Sequence, residues 1–115
     1  MSISKDKRLQ VYNKYEGHCA YCGKAIEYKD MQVDHLIPLY KNSLDGCDDL
    51  ENLMPSCRQC NHYKRAHDLE TFRQYIYEIP KKLSNNYIYK IGIRYNNIID
   101  YTHPIMFYFE TFKGE

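Results

Sequence analysis

Four cysteines in two tight pairs, Cys19-x-x-Cys22 and Cys57-x-x-Cys60, constrain this chain more than any other feature. Each pair can turn two thiolates toward one ion, and two such pairs make a tetrahedral four-sulfur site of the kind that holds zinc. Gly23 directly follows Cys22, where a knuckle turn favours a residue free to adopt positive φ. Either pair alone would also read as a redox motif, but two pairs at the same spacing argue against it. A fifth cysteine, Cys47, is left over, and an odd count suits a reducing compartment better than a disulfide framework. Cys47 is expected to be a loop thiol with no role.

A chain of 115 residues is long enough for one domain and too short for two. The expectation is a single domain over 1–115, with its core at about 8–65 and an extension at about 66–115. No apolar run approaches the roughly eighteen residues needed to cross a membrane. The opening Met-Ser-Ile-Ser-Lys-Asp-Lys-Arg lacks the apolar stretch and cleavage site of a secretory signal, so a cytoplasmic location and no membrane partner are expected. The formal net charge of +1 gives no push toward nucleic acid. Basic residues do gather at Lys5, Lys7, Arg8 and Lys14, around Arg58, Lys64 and Arg65, and at Lys81, Lys82, Lys90 and Arg94. An acidic loop of Asp45, Asp48, Asp49 and Glu51 offsets them, and a solvated mixed surface explains the pattern as well as a binding face does.

Local patterns predict a short α+β order. Residues 4–15 read as a helix capped by Ser4, with Leu9, Tyr12 and Tyr15 as a one-sided stripe. The first knuckle spans 17–24. Met31 to His35 alternates as a strand, Pro38 and the Asn42–Asp49 stretch mark a loop, and Leu53-Met54 is a second strand. A helix is predicted from about Cys57 through Lys64, and another from Asp68 to Ile79, ended by Pro80. In the tail, Tyr87, Tyr89, Ile91, Ile93 and Tyr95 alternate as a strand would, while Ile88, Ile91 and Tyr95 fit a helical face; periodicity does not decide between them. Ile105 to Phe109 reads as a terminal strand.

The gap between the cysteine pairs is the next constraint. Thirty-four residues, 23–56, separate them, against roughly 15–20 in a common zinc pattern. That gap holds Val33-Asp34-His35-Leu36-Ile37-Pro38 and then Glu51-Asn52-Leu53, and Cys60-Asn61-His62-Tyr63-Lys64 follows across the second knuckle. In these motifs the chain resembles the HNH, or ββα-metal, nuclease family, in its branch with a four-cysteine zinc site. The resemblance covers roughly residues 8–65. It implies a ββα-metal fold stapled by zinc, with flanking helices and a C-terminal helix or strand extension. It also implies a DNA phosphodiester hydrolase with His35 as general base, Asp34 and Asn61 as ligands of a catalytic metal, and Asn52 as the middle Asn.

The chemistry of the residues agrees with that assignment. A phosphodiester repels nucleophiles and has a poor leaving group, and a cation addresses both. A carboxylate and an amide oxygen are hard donors, which favour Mg²⁺ or Mn²⁺. Histidine, with an unperturbed pKa of about 6.5, is mostly neutral in a cell and able to accept a proton. Neighbours on a strand point to opposite faces, so Asp34 and His35 share a site only if the strand breaks or kinks; Asn52 is expected to hold that loop by hydrogen bonding. The zinc site, with its ligands filled, can only be structural. Lys64, one turn past Asn61, is expected to touch a phosphate, with Arg58 and Arg65 as further nucleic-acid contacts. His62 should face about 100° away from Asn61. No role is assignable to His18, His67 or His103, and the Tyr-rich tail reads as core or dimer surface before a base-stacking platform. Competing readings are a zinc-stabilised nucleic-acid-binding module without catalysis, and a nuclease subunit of a phage or defence complex. A homodimer or a protein partner of that kind stays open.

Overall fold

The computed structural model describes residues 3–38 and 48–114. The expectations for Asp45, for Cys47 and for most of the 42–49 loop lie outside them. Among these residues six α-helices and two strands follow in order: α1 (Lys5–Asn13), β1 (Gln32–His35), β2 (Leu53–Ser56), α2 (Arg58–Lys64), α3 (Leu69–Tyr77), α4 (Ile79–Leu83), α5 (Tyr87–Arg94) and α6 (Tyr108–Thr111). The class is the expected small α+β fold. The described chain forms two compact units, Met1–Leu69 with Met106–Glu115, and Glu70–Ile105.

In the first unit β1 and β2 pair antiparallel, with His35 opposite Leu53 and Asp34 opposite Met54. α1 starts where Ser4 Oγ accepts the Lys7 N–H at 3.1 Å, satisfying one of the free donors at a helix start. Its buried anchor is Val11, which forms the core with Met31 and Leu53. The expected stripe is corrected at one position, since Leu9 is exposed and Val11 takes the inward place. Tyr12 and Tyr15 are part-buried: the Tyr12 hydroxyl donates to the Ile26 carbonyl at 2.7 Å, and the Tyr15 ring meets Phe112 edge-on at 5.1 Å. Lys14 donates to the carbonyls of Leu50 and Leu53 at 2.8 and 2.7 Å, tying α1 to the start of β2.

In the second half two expectations are corrected and one open alternative is decided. Pro80 does not end helical structure; it sits in the first turn of α4, where its fixed φ and missing N–H are tolerated. The 87–95 stretch is the helix α5, capped by Asn86, whose side chain accepts from the Tyr89 N–H. Ile105 to Phe109 is not a strand, because its backbone finds a knuckle and not a sheet edge: Tyr108 N–H donates to Tyr21 O at 3.0 Å and Phe109 N–H to Ala20 O at 2.8 Å. Within the second unit, Arg73 joins Glu70 at 2.9 Å and donates to the Ile105 carbonyl at 2.7 Å.

The first knuckle closes through Gly23 N–H to Cys19 O at 3.0 Å. Gly23 has φ +80°, and a Cβ there would come within 2.7 Å of the Tyr108 ring, so both conformation and space require glycine. The second knuckle opens α2, where Cys57 is the N-cap and its sulfur accepts from the Cys60 N–H at 3.4 Å. The ligand sulfurs of Cys19, Cys22, Cys57 and Cys60 all lie within 4.8 Å of one another, and Cys22 Sγ is 3.9 Å from Cys57 Sγ. Zn–S bonds of about 2.3 Å set tetrahedral S–S edges a little under 4 Å, so this cluster fits zinc. The sulfurs compete for charge: a hydrogen bond from Cys60 is the main cause that lowers the Cys19 thiol to about 4, while its bond to Cys19 pushes the Cys60 thiol up. Burial raises the Cys22 thiol. A divalent cation in the cluster would relieve that competition by stabilising the thiolates. Purified protein should therefore carry about one zinc per chain by metal analysis. Cys57→Ser should lose that zinc and the cooperative unfolding transition seen by circular dichroism; a zinc-free sample that melts normally would contradict the assignment.

Candidate functional site

Asp34 and His35 end β1, and the chain around them decides what each can do. Asp34 is buried, at 7% exposure. A buried carboxylate needs a counter-charge and donors, and it has both: Lys64 Nζ lies 3.0 Å from its Oδ2, and the Tyr21 hydroxyl donates to the same oxygen at 2.6 Å. Burial, followed by the Asp34 charge, pushes the Tyr21 hydroxyl far above its usual range, so it remains a neutral donor. Lys64 Nζ also donates to the His35 carbonyl at 3.1 Å. One fully buried ammonium on α2 thus holds both residues of the Asp-His pair in β1.

Lys64, expected to touch a phosphate, is enclosed here. Its charge is spent on Asp34, so in this arrangement it does not face a phosphate. The carboxylate it holds is nonetheless a place where the fold already seats a cation. Among the described residues, the cysteine cluster is the sole group of three or more His, Cys, Asp or Glu side chains arranged to bind metal. A second ion at Asp34 would therefore draw on oxygen donors outside that residue set, such as the amide of Asn61. Asn61 is half-buried in the middle of α2, one turn before Lys64.

His35 is half-buried, and its Nε2 lies 2.8 Å from Asp48 Oδ1. Asn52 is buried and binds the backbone just past His35: its Oδ1 accepts from Ile37 N–H at 2.8 Å and its Nδ2 donates to Ile37 O at 3.2 Å. The Asn52 carbonyl also accepts from Leu36 N–H at 2.9 Å. The chain leaving β1 is thereby fastened to the residue before β2, just past the paired Asp34 and His35.

Arg58 and Arg65 are exposed at the two ends of α2. Arg58 borders a groove of about 750 Å³ with Lys24, Lys29, Glu27 and Asp30, a lining of both signs. His62 is exposed, as expected of a residue turned from Asn61. His18 stacks on Tyr108 with its ring 5.4 Å away, and His103 bonds to the Tyr101 carbonyl at 2.9 Å. Two contributors escaped sequence reading. Tyr21 occupies an x position between zinc-site cysteines, where nothing local signals a role, and Asp48 sat among other acidic residues of a loop. The separation of thirteen positions between His35 and Asp48 carries no periodic signal.

Residues 19–67 match the family described as HNH endonuclease. A stretch of 57 residues, 50% of this chain, is 32% identical to the CRISPR-associated endonuclease Cas9 of Corynebacterium diphtheriae, of which it covers 5%. The fold is similar to the crystal structure of the Type II-C Cas9 enzyme from Actinomyces naeslundii, with a TM-score of 0.54 and 27% identity over 66% of this chain and 9% of that one. This chain therefore spans a small part of either protein. Among the described residues no helix is long and apolar enough to cross a membrane.

The buried pair makes a measurable prediction. Lys64→Met should destabilise the zinc-loaded protein by about 3–5 kcal/mol in urea denaturation, because it leaves Asp34 buried without its counter-charge. Adding Asp34→Asn should recover a good part of that loss; additive losses in the double variant would show that the two side chains are not coupled.

Proposed function

We propose, from the premise that residues 19–67 are an HNH endonuclease unit, that this chain hydrolyses DNA phosphodiester bonds with a divalent metal ion. The observation that carries the proposal is the cation-holding carboxylate of Asp34, next in sequence to the half-buried His35 at the end of β1. In this reading His35 accepts the proton of the attacking water, and Asp34 with Asn61 would hold Mg²⁺ or Mn²⁺. The ion supplies charge stabilisation to the phosphate and the leaving oxygen. Hard oxygen donors favour those metals over softer-site ions. Lys64, which holds Asp34 Oδ2 at 3.0 Å, would have to share that carboxylate with such an ion, since two cations on one oxygen repel. Asn52 keeps the turn after His35 in place, and Arg58 and Arg65, exposed at the ends of α2, meet the DNA backbone. Zinc in the four-cysteine site is structural.

Supercoiled plasmid incubated with the zinc-loaded protein should be nicked or linearised with Mg²⁺ or Mn²⁺ and left intact with EDTA. His35→Ala should slow cleavage by about 10²- to 10⁴-fold while zinc content and DNA binding hold. A folded His35→Ala protein that cleaves at the wild-type rate would sink the mechanism. DNA binding without any metal-dependent cleavage would favour a zinc-stabilised binding module. Replacing the amide donor by an imidazole in Asn61→His should shift the metal preference toward Ni²⁺ or Co²⁺; an unchanged metal profile would remove Asn61 from the ligand set.

A further inference from the structure

We infer that Asp48 is the positioning residue that selects which nitrogen of His35 accepts the proton, an inference that rests on the nuclease reading. His35 Nε2 and Asp48 Oδ1 are 2.8 Å apart. An ionised carboxylate only accepts hydrogen bonds, so the neutral ring places its one N–H at Nε2 and its lone pair at Nδ1. Nδ1 is then the base. As water attacks, its oxygen bonds to phosphorus, the bond to the leaving oxygen breaks, and the water proton passes to Nδ1. The Nε2 proton stays on the ring, Asp48 stays ionised, and the leaving oxygen takes a proton from solvent. The imidazolium formed in that step lies against a carboxylate, which favours it in the transition state over the ground state.

The setting of Asp48 distinguishes it from an incidental surface partner. The side chains of His35 and Asp48 keep only 21% and 27% exposure, whereas freely solvated pairs contribute little. Lys7 Nζ, from α1, donates to the Asp48 carbonyl at 2.8 Å, and Asn52 N–H donates to the Asp49 carbonyl at 2.8 Å. Asn52 in turn binds both backbone groups of Ile37. The segment that carries the carboxylate is thus fastened to the segment that leaves His35, and the 2.8 Å contact is held from both sides. Among the described residues Asp48 is the hydrogen-bond partner of the His35 ring.

The test uses the full zinc-loaded chain, a duplex DNA substrate and Mn²⁺. Asp48→Ala should lower kcat on the order of 10- to 100-fold with KM little changed, and Asp48→Glu should restore part of the loss. In ¹⁵N spectra of the imidazole, wild type should show a protonated Nε2, slow to exchange with water, and a bare Nδ1. Asp48→Ala should lose that protection and mix the two tautomers. Unchanged kcat in Asp48→Ala, a loss confined to KM, or a wild-type ring protonated at Nδ1 would overturn the inference, and the last needs no variant to fold. If wild type cleaves nothing with any divalent ion, the nuclease reading falls and this inference with it. If wild type cleaves and Asp48→Ala cleaves equally fast, only the role of Asp48 falls.

Discussion

The sulfurs of Cys19, Cys22, Cys57 and Cys60 gather into a space of 4.8 Å two chain segments that lie 34 residues apart in sequence. Everything near the candidate site hangs from that closure. The second cysteine pair begins α2, with Cys57 as its cap. The first pair holds Ala20, whose N–H donates to the Pro55 carbonyl of β2 at 2.8 Å. A two-stranded sheet with four residues in each strand is marginal by itself, and the apolar cluster of Val11, Met31 and Leu53 is small. A metal held by the four sulfurs would supply the cross-linking that such a core lacks.

From that anchor a polar chain runs inward. Tyr21, between the first two cysteines, donates to Asp34, and Lys64 at the end of α2 closes on the same oxygen. The two knuckles thus each contribute one side chain to one buried carboxylate in β1. A buried pair of this kind adds little net stability compared with apolar packing, but removal of one partner is costly. What it does is set position: the Lys64 ammonium also binds the His35 carbonyl, so the register of α2 against β1 is decided at the two residues proposed to act on phosphate. Asn52 and Asp48 complete the frame from the far side of the strand exit.

The second unit, Glu70–Ile105, is helical and carries several exposed apolar side chains, among them Tyr87, Ile88, Ile99 and Tyr101. The final segment returns to the first unit, where Phe107 is buried and stacks edge-on against Tyr21 at 5.5 Å. That contact gives the tail a part in seating Tyr21, and through it Asp34.

Much was legible in the residues alone. Cysteine spacing determined the four-sulfur cluster, Ser4 the start of α1, Gly23 the knuckle turn, and the Asp-His, Asn and Cys-Asn motifs the resemblance to HNH nucleases, because each is a local rule of chemistry or backbone conformation. Helices whose signals are local, such as α2 and α3, fell close to their predicted bounds. Tertiary structure alone decided the rest. Lys64 is a buried counter-ion because Asp34 faces α2, a fact that no one-dimensional pattern carries. Residues 105–109 fail to form a strand because the N–H groups of Tyr108 and Phe109 meet the carbonyls of a knuckle 87 and 89 positions earlier in sequence. Asp48 and Tyr21 reach the site through contacts 13 residues apart in sequence, without periodicity. Periodicity reports which face of one element is apolar; it does not report which element comes to lie against that face, and the charges of this site are paired across elements.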